Sequence, residues 1–179
     1  MTKSRTLAER ISIAIPLDRV PHYLERFFAD PRNADAREAT LRLTVPGPPR
    51  GAAREHTVLA TLVRAGSGRW NGWNDSAEVS WHPESGGPYP IFLGELKILA
   101  DEDCESAWLV VDGGYIPGGA AGRAFDTADH AVVQGTARQL LSQLKTAVER
   151  YHGDEELAQE PAAASARDEH AITYNGKMR

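Results

Sequence analysis

The chain has 179 residues, 41% of them hydrophobic and 25% charged, which is enough for one domain with a real core and leaves no material for a second. Its formal charge of −5 argues against nonspecific nucleic-acid binding, which requires clustered Lys and Arg, and the sequence shows no basic patch, so no nucleic-acid partner is expected. Cys104 is the single cysteine, which excludes a disulfide framework and a Cys-based zinc site.

The apolar run within MTKSRTLAERISIAIP is too short for a signal peptide. No stretch nears the ~20 apolar residues of a membrane span, so a cytoplasmic protein without stable membrane insertion is expected. Leu7 to Ile15 alternates, with Ile11, Ile13 and Ile15 on one side and Arg10, Ser12 and Ala14 on the other, which predicts a half-buried strand ended by Pro16. Asp18 is placed to cap a short helix holding Val20, Tyr23, Leu24, Phe27 and Phe28, with Pro21 in its first turn and Asp30-Pro31 as its stop. Arg32 to Glu38 suits one more helical turn, and Leu41, Leu43 and Val45 then mark a second strand, ended by the Pro- and Gly-rich reversal 46–51.

His56 to Arg64 is β-branched and apolar on both sides, the pattern of a central strand. Ala65 to Gly68 is its turn, and Arg69 to Trp73 reads as a short strand or an aromatic loop. Glu78 to His82, Ile91 to Leu99 and Ala107 to Val111 follow as strands separated by short turns, which predicts antiparallel neighbours because parallel ones need a long crossover. From about Gly118 to His152 the apolar residues Val132, Val133, Thr136, Leu140, Leu144, Val148 and Tyr151 recur at steps of mostly three and four, the period of one helix face. Roughly 30 residues at ~1.5 Å each make a rod about 45 Å long, able to lie across a whole sheet. Residues 153–179 are poor in large apolar side chains and read as a polar, flexible tail outside a domain of residues 1–152.

One strand, two short helices, an antiparallel run of strands and a long closing helix resembles the START-like or SRPBCC superfamily. The local likeness is carried by Trp81-His82-Pro83, by Tyr89 to Gly94, and by Gly114-Tyr115-Ile116-Pro117-Gly118-Gly119 with Gly122 to Asp126. The resemblance implies an α+β helix-grip fold, a curved antiparallel sheet wrapped around the C-terminal helix. It also implies a cavity between the two that takes an apolar small molecule in many relatives.

Candidate ligand-binding residues follow from that expectation. The tryptophans Trp70, Trp73, Trp81 and Trp108 offer aromatic walls with a polar N–H, although each singly also reads as core or edge filling. Trp70 and Trp73, among Gly68, Asn71, Gly72 and Asn74, suit a mouth or lid. Phe92, Tyr115 and Phe125 complete the aromatic set, and small residues on the helix, Ala128, Ala131 and Gly135, would leave volume above the sheet.

Four other chemistries are weighed. Tyr115, His82 or a pair of Asp126 and His130 one helical turn apart could transfer a proton, against the reading of the pair as an exposed ion pair. The glycines 113, 114, 118, 119 and 122 before the helix lack a Walker Lys and the G-x-G-x-x-G spacing, so they read as conformational and no cofactor is expected. Six dispersed histidines show no metal-ligand spacing, and Cys104 lies in an acidic turn that disfavours a thiolate. The leading expectation is therefore binding or transport of a hydrophobic, lipid- or polyketide-like ligand. A cyclase- or dehydratase-type enzyme and a protein-interaction module are the alternatives, and oligomeric state is left open.

Overall fold

The computed structural model describes residues 5–33, 36–46, 55–64, 76–86, 89–102, 104–117 and 127–171, the side chains of the last stretch being described from 129 to 158. Strand β1 (Arg5–Ile13) is followed by helix α1 (Val20–Phe28), strands β2 (Glu38–Pro46), β3 (Glu55–Arg64), β4 (Ser76–Pro83), β5 (Ile91–Ala100) and β6 (Ala107–Ile116), and helix α2 (Thr127–Ala171). The strands form one curved antiparallel sheet in the order β1-β6-β5-β4-β3-β2. The meander from β2 to β6 follows from short connections. The pairing of β1 with β6, which closes the order, comes from tertiary contact alone.

Every strand alternates, so one face carries the core. Leu7, Ile13, Leu43, Val58, Leu62, Val79, Leu96, Leu109 and Val111 are all buried on the inner side. Helix α2 answers with Val132, Val133, Thr136, Ala137, Leu140, Leu141, Leu144 and Val148, the face read from the sequence, refined by Ala137 and Leu141. Its backbone approaches β1, β2 and β6 and the helix α1 most closely. The middle of the sheet meets it instead through large side chains, among them the fully buried Trp81 and Phe92.

Four local expectations are corrected. Helix α1 begins with Arg19 as its N-cap and no side-chain cap bond, so Asp18 does not cap it, while Pro21 does lie in the first turn. A single helix follows β1 among the described residues. Residues 31–33 and 36–37 are turns, held in part by the Asn33 side chain donating to the carbonyls of Phe27 and Phe28. β6 extends to Ile116, past the strand end expected at Val111, which puts Gly113 and Gly114 in a strand. Gly113 pairs directly with Gly94 of β5, where the two backbones come so close that a Cβ on Gly113 would lie 2.5 Å from the Leu93 carbonyl oxygen. The helix α2 continues through Gly153 to Ala171, past the helix end expected at His152.

Candidate ligand-binding site

Register places the aromatic side chains. Ala60 is opposite Trp81, Trp81 opposite Phe92, and Phe92 opposite Tyr115, so one row crosses β3, β4, β5 and β6 on the inner face. Trp81, Phe92 and Tyr115 are all buried. The rings of Trp81 and Phe92 stack nearly parallel, with centroids 4.0 Å apart and 8° between planes. The Phe92 ring lies over the Gly94–Gly113 pair of the adjacent row, its Cζ 2.6 Å from where a Gly94 Cβ would be and 2.7 Å from a Gly113 Cβ. Two glycines facing each other thus make the recess in which the ring lies flat.

The start of α2 covers this row with polar groups. The Thr136 hydroxyl donates to the Val132 carbonyl at 2.9 Å, which leaves its oxygen to accept the Tyr89 hydroxyl proton at 2.6 Å. Burial pushes the Tyr89 phenol above its ordinary pKa, against a smaller opposing effect of Thr136, so it is a neutral donor at any physiological pH. Tyr115 Oη lies 3.1 Å from His130 Nδ1. His56 packs its ring 5.6 Å from that of Tyr89. One polar atom at this end is left over: the Trp81 Nε1–H is buried and has no hydrogen-bond partner among the described residues. A second polar set lies further along β1, where inward-facing Glu9 accepts from Gln134 and from Arg138 Nε at 3.1 Å and ties the helix to the sheet edge.

Of the residues singled out in the sequence, Trp81, Phe92 and Tyr115 meet in one buried row. Trp108 does not join them. It is on the outer face with Val110 and Asp112, half-buried, with the Arg10 guanidinium 4.5 Å above its ring. His82 is likewise exposed on the outer face, one residue out of phase with Trp81. Ala131 is exposed, and Gly135 is half-buried with no atom within 4 Å of where a Cβ would be. The small helix residues that face the sheet are Thr136 and Ala137, each one position or two from Gly135. Ala128 is in the first turn of α2 with its side chain outside the description, and Trp70, Trp73, Phe125 and Asp126 lie outside the described residues. Strand parity already separates Trp81 from His82 and Trp108 from Leu109, whereas the Tyr89–Thr136 and Tyr115–His130 contacts carry no local signal.

Among the described residues no group of three His, Cys, Asp or Glu side chains could hold a metal ion, and no helix is long and apolar enough to cross a membrane.

No family model matches the sequence, and comparison with curated proteins finds no match. Solved structures do resemble it. The Zhui aromatase/cyclase from Streptomyces sp. R1128 superposes with a TM-score of 0.52 at 19% identity, covering 83% of this chain and 95% of that one. A protein from Thermus thermophilus gives 0.48 at 12% identity, covering 82% and 99%. A START superfamily protein from Mycobacterium smegmatis gives 0.41 at 15% identity, covering 82% and 95%. The chain has an α+β helix-grip fold like that of the Zhui aromatase/cyclase, a curved antiparallel sheet with a long C-terminal helix. At these identities the likeness is one of fold.

Proposed function

We propose that this protein binds or carries a hydrophobic small molecule, lipid- or polyketide-like, between the inner face of the sheet and the first turns of α2. The observation that supports this most is the buried row of Trp81, Phe92 and Tyr115 beneath a helix start bearing Thr136 and His130. A wall of this kind, mostly carbon with a few directed polar groups, is the usual make-up of a small-molecule site. Apolar burial would supply affinity at roughly 25 cal/mol per Å² before the cost of immobilisation. In this reading Trp81, Phe92 and Tyr115 touch the ligand, and Trp70, Trp73 and Phe125 remain candidates for its rim. Purified protein incubated with a lipid extract is expected to retain an apolar ligand in native mass spectrometry and to bind a fluorescent apolar dye saturably. Absence of both a retained mass and a saturable dye signal would overturn the proposal.

A cyclase- or dehydratase-type reaction in the same place is favoured by one contact, Tyr115 Oη to His130 Nδ1, which pairs a phenol with a base able to share its proton. The fold likeness to an aromatase/cyclase supports the same reading. It expects the retained ligand to change mass by loss of one water on incubation, and Tyr115→Phe to abolish that change while leaving retention intact. A ligand recovered unaltered would leave carriage as the function.

A further inference from the structure

We infer that Trp81 selects ligands carrying a neutral hydrogen-bond acceptor, such as a carbonyl oxygen, over hydrocarbons of the same shape. This rests on the apolar-ligand reading above and specifies the chemistry of the ligand. The indole of Trp81 is fully buried, one face is covered by the stacked Phe92 ring, and its N–H finds no acceptor among the described residues. A buried donor left without a partner costs about 1–3 kcal/mol, so an acceptor brought in by a ligand recovers what folding left unsatisfied.

The neighbouring hydroxyl groups already have partners. Tyr89 donates to Thr136, Thr136 donates to the Val132 carbonyl, and Tyr115 pairs with His130. Trp81 is therefore the donor of the row still available to a guest. The acceptor is neutral because the inner face around Trp81 is neutral, with Ala60 and Phe92 in its own row and Val79 two residues before it on β4. Arg5 stands at the far end of that row, three strands away or about 14 Å, opposite Tyr115. A carboxylate placed against a lone indole N–H would lose more hydration than one neutral donor returns.

The test compares 9-fluorenone with fluorene, which differ by a carbonyl oxygen on one otherwise shared flat framework. Binding of each to the full-length protein is measured by calorimetry or dye displacement, for the native chain and for Trp81→Phe. The native protein is expected to bind fluorenone at least about fivefold more tightly, the span of one net hydrogen bond, and Trp81→Phe to bring the two within about twofold. In protein labelled with ¹⁵N-tryptophan, the Trp81 indole proton is expected to move downfield with fluorenone and not with fluorene. Assignment of that resonance by elimination through Trp70→Phe, Trp73→Phe and Trp108→Phe keeps the readout independent of whether Trp81→Phe folds. Equal binding of the two probes, a preference that survives Trp81→Phe, or an unmoved indole resonance would overturn the inference and leave the apolar-ligand reading in place. Binding of neither probe would overturn the inference, and joined by no retained mass and no saturable dye signal it would overturn both.

Discussion

Gly135 and Gly113 are the same residue type in opposite situations. In mid-helix, Gly135 has nothing within 4 Å of where a Cβ would be, so it exacts the backbone-entropy cost of glycine with no packing return. Gly135→Ala is expected to stabilise the protein by about 0.5–1 kcal/mol, seen as a higher urea midpoint at unchanged slope. Gly113→Ala is expected to do the reverse. Its Cβ would meet the backbone of Leu93 and Gly94 and the Phe92 ring, and strand backbone cannot swing aside as a side chain can. Thermal denaturation should place it among the most destabilising single substitutions in the sheet, and a melting point equal to that of the native protein would contradict the close approach of β5 and β6. At this scale the sequence marks which residues are glycine and not which of them are needed. That depends on what stands opposite.

Between elements, the joint of α1 with α2 carries the clearest dependence on pH. Tyr23 is buried, with its hydroxyl 3.0 Å from His152 Nδ1, and Glu155 reaches Arg19 at 3.8 Å and His22 at 4.0 Å. Burial, and then the Glu155 carboxylate, raises the Tyr23 phenol above its ordinary pKa of 10.0. A raised pKa in the folded state means the neutral phenol is favoured by folding. The associated stability is complete below the unfolded value and is lost as pH rises through the folded one. Urea midpoints measured from pH 8 to pH 11 are therefore expected to fall more steeply in the native protein than in Tyr23→Phe, which has no phenol to ionise at that joint. Parallel curves would show that the hydroxyl is not held there. The periodicity of α2 made its apolar face readable, because helical spacing is local. Its partner on α1 was not readable, since Tyr23 and His152 are 129 residues apart.

For the whole molecule, the question is where the folded domain ends. α2 runs unbroken through Gly153, and His152, Glu155 and Glu156 engage α1 or their own helix. We expect truncation after Ala158 to leave the melting temperature within about 2 °C of the full chain, and truncation after Tyr151 to lower it by several degrees, as loss of about 1 kcal/mol does in a domain of this size. Equal melting temperatures for the two truncations would support a domain boundary at 152/153. The outer face of the sheet also carries Ile91, Leu93 and Ile116 side by side and largely exposed, with Ile91 directly opposite Ile116. Scattered apolar exposure is ordinary, and nothing in the structure identifies a cover for these three.

The sequence by itself determined the elements and, through them, the class of fold. Alternation with period two, helical spacing and the placement of Pro and Gly are local properties, so six strands, the helix after the first and the long closing helix could be read in order. Strand parity puts Trp81 and His82 on opposite faces, and Trp108 and Leu109 likewise, but Trp108 and His82 were still expected at the site, because which face holds the core is set by the packing of α2. Only the tertiary structure decided the pairing of β1 with β6, the inward placement of Ala137 and Leu141 beside the apolar face of α2, and the stranding of one indole N–H beneath the helix. Those outcomes depend on distances between residues far apart in the chain, and no local pattern records which donor will be left without an acceptor once the others have paired.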